Sequence, residues 1–204
     1  PAGGTNWSVV INNLLFNSPS LNFGGYRYYF PLYIKSGTSI GWQHQSNVAS
    51  RVMRVGVNLF GKPTREELVK VGSKVETFGA VTASTSGTAI IPGSGAAGAW
   101  TASLGITSND LWWWQWGGIA TNDATLTPKK GYHGDISVGD ATNKILVAQG
   151  ILMGYDTVEE AFKDCMGIIP PYYYAKSGQN VYARAWASGA ADTTPTTIAY
   201  GLGG

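Results

Sequence analysis

Apolar positions along this chain fall in short runs cut by clusters of Gly, Ser, Asn, Asp and Pro, and several of the runs alternate apolar with other residues. Alternation at a period of two marks a strand with one buried face, because successive side chains leave a pleated backbone on opposite sides. The span 26–34 shows it, with Tyr26, Tyr28, Phe30, Leu32 and Ile34 on one face. Pro31 cannot donate to a ladder, so this strand belongs at an edge or carries a bulge. The same reading predicts strands over 7–11, 38–44, 51–60, 75–83, 90–91, 99–106, 111–116, 136–138, 145–148, 181–187 and 196–202. Many short strands joined by turn-formers predict an all-β fold, an antiparallel β-sandwich or jelly-roll-like architecture.

Leu111-Trp112-Trp113-Trp114-Gln115-Trp116 stands at the centre of this pattern and holds four of the eight tryptophans. Alternation places Trp112, Trp114 and Trp116 on one face and Leu111, Trp113 and Gln115 on the other. Both faces are then largely apolar, which predicts a strand between two packed layers.

Two short helices are also expected. Thr64 followed by Glu67 forms a capping-box pattern that Gly72 closes, and Thr157 followed by Glu160 forms a second that Gly167 closes. In the second, Val158, Ala161, Phe162, Cys165 and Met166 share one helical face and predict a lid over the sandwich. Cys165, the single cysteine, reads there as a buried thiol.

The chain also echoes itself. Pro31-Leu32-Tyr33-Ile34-Lys35-Ser36-Gly37 aligns with Pro171-Tyr172-Tyr173-Tyr174-Ala175-Lys176-Ser177-Gly178 after one insertion. An apolar-aromatic strand follows each Lys-Ser-Gly, and a last strand then ends in Gly61 or Gly201. The echo divides the chain into an N-terminal half β unit (1–61), a short helical connector (62–73) and a complete β-sandwich unit (74–204). A half unit leaves an apolar face and unpaired strand edges, to be completed by the second unit, a neighbouring copy or an upstream segment.

Composition sharpens this picture. The 204 residues can form one large or two small domains with a real core. Charged residues are 13%, against roughly 25% in an average protein, and Gly occurs 28 times. Sparse charge fits a surface covered by neighbours or solubilised by hydroxyl and amide groups. A net charge of +2 without a basic cluster argues against a specific nucleic-acid partner. No apolar run is long enough for a membrane span, and the N-terminus lacks the layout of a signal peptide.

Residues 135–201 carry a family resemblance. Asp135-Ile136-Ser137-Val138-Gly139, then Pro171 to Gly178, Val181-Tyr182-Ala183-Arg184-Ala185-Trp186 and Ala199-Tyr200-Gly201 follow in order a β-sandwich unit of bacteriophage virion proteins, which this span resembles. In that unit a "Pro-x-x-Ile-Pro-x-Gly" element precedes an "Arg-Ile-x-x-Arg" strand and a final "Leu-Tyr-Gly" strand. Lys176 stands where the second proline is expected, and the helix over 157–166 is an addition. The resemblance implies a virion structural protein, whether capsid shell, capsid decoration or tail.

Candidate chemistry is sparse. Gly93-Ser94-Gly95-Ala96-Ala97-Gly98 matches a dinucleotide fingerprint by letter, but a strand-like segment follows where a helix should open, so it reads as a turn. His44 and His133 are far apart and, with one cysteine, make no closed zinc site. Asp135, Asp140 and Asn143 offer oxygen ligands for calcium, though at no known loop spacing, and turn chemistry accounts for them. No catalytic, cofactor or metal-binding residue is assigned, and the chain is expected not to be an enzyme.

Trp112, Trp114, Trp116, Tyr172, Tyr174 and Trp186 are the candidate packing or interface anchors, since Trp and Tyr are enriched at buried interfaces. The function expected is a self-assembling virion structural protein, partnered by copies of itself and other virion proteins. The alternatives are a secreted carbohydrate-binding sandwich, with a glycan stacked on the Trp or Tyr rows, and an extracellular filament subunit completed by strand donation.

Overall fold

The computed structural model describes residues 7–15, 28–45, 55–61, 70–80, 82, 85, 87–118, 120–121, 131–154, 174–187 and 194–204. Ten strands form within them: β1 (Lys74–Phe78), β2 (Thr88–Ala89), β3 (Gly93–Ser94), β4 (Gly105–Ile106), β5 (Leu111–Gly117), β6 (Ala120–Thr121), β7 (Gly131–Gly139), β8 (Lys144–Gly154), β9 (Asn180–Ala187) and β10 (Thr194–Gly203). The described residues contain no helix: the second expected helix, with Cys165, and the first as far as residue 69 lie outside these residues, while Lys70 and Val71 at the expected end of the first are not helical.

The fold is an all-β sandwich. In the first sheet β10 is central, with β1 and β2 along one side and β5 and β6 along the other, all antiparallel. In the second sheet β3 and β4 border β9, then come β7 and β8. All of its pairings are antiparallel except that of β3 with β9.

The core between the sheets follows from the size of facing residues. Trp114 and Trp116 of β5 point inward beside Phe78, Tyr132 and Ile136. The inward positions of β9 are Val181, Ala183, Ala185 and Ala187, and β10 contributes Ala199 to the same cluster. Small residues on the central strands make room for two indoles. At Gly201 the fit is closest: a Cβ there would lie 2.6 Å from Leu111 Cδ1 and 3.3 Å from the Trp114 ring.

The expected faces of β5 hold for its C-terminal part and fail at its start. Trp113 pairs with Leu202 but Leu111 with Gly203, so β5 carries one extra residue, Trp112, at a bulge. A bulge shifts alternation by one, which puts Leu111 on the core side with Trp114 and Trp116.

The outer face of the first sheet is also covered. Val75, Ile198, Tyr200 and Leu202 form a second cluster against which Ile11, Leu14, Leu15, Tyr28, Phe30, Leu32 and Trp113 pack. The N-terminal segments are thus a third layer. Val75 donates its N–H to the Val10 carbonyl at 2.9 Å, and Thr77 Oγ1 donates to Asn12 O at 2.6 Å. The Tyr200 hydroxyl accepts from the Leu15 N–H and donates to Asn13 O, both at 3.0 Å.

This layer differs from the strands expected over 7–11, 26–34, 38–44 and 51–60. Within the described parts of those spans the one ladder contact is an isolated parallel bridge between Leu32 and Gly72. The edge of β1, to which a further strand would add, is met by single hydrogen bonds to an irregular segment instead.

Candidate functional site

The anchors expected from sequence are scattered by the fold. Trp114 and Trp116 are 0% and 1% exposed in the inter-sheet core, so they present no platform to a sugar ring. Tyr172 lies outside the described residues. Trp112, Tyr174 and Trp186 lie nearer the surface, in two different places.

At the start of β5, Lys70 Nζ sits 3.7 Å from the centre of the Trp112 ring and 4.6 Å from that of Tyr174. Both rings offer their electron-rich faces to one ammonium, an arrangement worth roughly 0.5–2 kcal/mol. Beside it Asp110 accepts from Lys176 Nζ at 2.8 Å and from the Ser177 N–H at 3.0 Å. The bond from Lys176, reinforced by that from Ser177, holds the Asp110 carboxyl below the ordinary range. Ala175 pairs with Leu111, so this knot ties the segment before β9 to the start of β5.

Trp186 belongs to the outer face of the second sheet. There it stacks on His133, its cross-strand neighbour, with centroids 5.2 Å apart and planes 14° from parallel. The next pair along is Asp135 and Arg184. Arg184 Nε donates to Asp135 Oδ2 at 2.8 Å while its guanidinium lies over Trp100, and the Gly150 N–H donates to Asp135 Oδ1 at 3.0 Å. Asp135 is wholly buried, so this carboxylate survives by being paired and hydrogen-bonded. Lys144 over Tyr182 makes a second cation–aromatic contact on the same sheet. Sequence reasoning did not find Arg184 or Trp100, because their partners are distant in the chain.

The residues weighed for chemistry fall apart in the same way. Asp135 lies in mid-strand rather than in a turn. Asp140 does serve a turn, accepting from the Thr142 and Asn143 N–H groups at 2.7 and 2.6 Å, and these bonds lower its pKa. Among the described residues no three His, Cys, Asp or Glu side chains gather as a metal group. The Gly93–Gly98 segment edges the second sheet, where Gly95 and Gly98 donate to the carbonyls of Ala187 and Ala185.

What the surface does show is apolar. Among the described residues, 12 of the 17 exposed large hydrophobic side chains lie between Trp7 and Val71. Residues 55–61 are the extreme case: Val57 is 55% exposed, Leu59 62% and Phe60 79%. Phe60 meets Tyr29 edge-on, and Tyr29 meets Trp113 in the same way, so the segment lies beside the third layer.

The fold and surface define an all-β sandwich with an apolar N-terminal layer. No protein-family model matches the chain, and no curated protein or solved structure matches it. None of the described residues forms a helix long and apolar enough to cross a membrane.

Proposed function

We propose that this protein is a non-enzymatic structural component that assembles with copies of itself through lateral contacts, and that the assembly is a virion. The observation that carries the reading is the N-terminal layer: among the described residues, 11 of the 17 exposed large hydrophobics fall within residues 7–60. Exposed apolar side chains on a monomer are usually scattered singly, whereas an assembling subunit concentrates them where neighbours cover them. The low charge of the chain favours the same reading.

The virion setting rests on the sequence resemblance over residues 135–201 alone. Capsid shell, decoration and tail roles share this chemistry. The test is negative-stain imaging of the purified full chain with sedimentation velocity across a concentration series. Shells, tubes, rings or defined oligomers are expected, and a monomer at every concentration would overturn the proposal.

A further inference from the structure

The two Lys-Ser-Gly turns of the internal echo share a conformation. Gly37 and Gly178 have φ of 81° and 85°, a left-handed geometry that favours glycine. After Gly178 the chain forms β9 and then β10, each flanked on both sides within its sheet. After Gly37 the corresponding segments, 40–44 and 57–61, make no ladder. Residues 57–61, Val-Asn-Leu-Phe-Gly, therefore correspond in the echo to part of central strand β10, yet they and the preceding Val55-Gly56 lie on the surface.

The second sheet holds an edge of matching character. β8 is the longest strand, at 11 residues, and among the described residues its outer side has no ladder partner. The outer side of β1, by contrast, is met by Val10, and that of β9 by residues 93–107. From 145 to 151 β8 reads Ile-Leu-Val-Ala-Gln-Gly-Ile, without a charge, and 55–61 is uncharged over the same length. Two register shifts against β7 add residues to β8 and bury Val147 and Ala148 in succession. They leave Ile145 and Leu146 each 39% exposed at the hairpin end.

We propose that residues 55–61 of one copy add as a strand to the outer edge of β8 of a second copy, beginning at Ile145 and Leu146. Main-chain hydrogen bonds to an open edge supply the contact, and an uncharged strand meets no charge deterrent there. A second copy is the occupant because one chain carries both halves, segment and edge. Such a head-to-tail contact repeats from subunit to subunit and closes into a ring or shell or extends as a tube. This inference rests on the self-assembly reading and adds to it which surfaces meet.

The experiment mixes two full-length chains, both carrying Cys165→Ser, one with Leu59→Cys and the other with Ile145→Cys, and treats the mixture with a short bis-maleimide. A cross-linked heterodimer joined at 59 and 145 is the expected product. Val57→Asp with Leu59→Asp is expected to abolish assembly while leaving the near-ultraviolet circular dichroism and urea midpoint of the subunit unchanged. Assemblies that form without the 59–145 cross-link would overturn the proposed contact and leave self-assembly standing. Assembly that persists in the double aspartate variant would do the same. Failure of the unmodified chain to assemble at any concentration would overturn both.

Discussion

Replacing Trp114 by Ala tests whether the sandwich is built around β5. Trp114 is fully buried, tilted against Phe78 at a centroid distance of 5.8 Å and faced by glycine at 201. A buried aromatic of this size removes about 150–250 Å² from water. At about 25 cal/mol per Å² that is roughly 4–6 kcal/mol. One term runs the other way, because the Trp114 indole N–H has no hydrogen-bond partner among the described residues. Leaving such a donor unpaired costs about 1–3 kcal/mol, which the substitution relieves. The net loss is then about 3 kcal/mol, at the lower end of the range for removing a core Trp. Set against a total stability of about 5–15 kcal/mol, that is a large fraction. Urea unfolding followed by circular dichroism is the assay, and with a slope of about 1–3 kcal/mol/M the midpoint falls by about 1 M or more. Trp114→Phe keeps a ring on Phe78 and removes the unpaired donor, so it costs less than about 1.5 kcal/mol. A loss for Trp114→Ala below about 1 kcal/mol, the level of an average substitution, would refute the placement of Trp114 in the core.

Other consequences are equally direct. Gly201→Ala puts a methyl group against buried Leu111 and costs about 1–3 kcal/mol by overpacking. Leu111→Ala in the same chain relieves that cost, a coupling that a double-mutant cycle measures. Arg184→Ala leaves the buried Asp135 carboxylate without its cation and costs about 3–5 kcal/mol, as read by thermal and urea unfolding. Asp110 and Asp140 both titrate below their ordinary range in the folded chain, so each stabilises the fold above the unfolded-state value. That contribution disappears as pH falls through the lowered folded-state values. Carboxyl-detected NMR titration checks the direction, and Asp140→Ala removes its part of the acid dependence.

The sequence by itself determined the all-β class and the place of β5, β7, β9 and β10 in it, because those properties reside in local alternation and turn chemistry. It determined the Lys-Ser-Gly turns for the same reason: a glycine in left-handed conformation needs no distant partner. The faces of β5 could not be assigned correctly from alternation alone. Pairing with β10 introduces the bulge at Trp112 that moves Leu111 to the core side, and register is a property of two strands. The alternation over 26–34 does bring Tyr28, Phe30 and Leu32 to one packed face, yet the described residues there form a layer over Tyr200 and Leu202 rather than a sheet. The expected apolar face of 51–60, Val55, Val57 and Leu59, lies exposed. A strand needs a partner edge as well as a pattern. Asp135 is the sharpest case, because its neighbours in sequence give no sign of Arg184, 49 residues away. Only the antiparallel register of β7 and β9 sets them opposite each other, and that long-range pairing is what the tertiary structure alone decided.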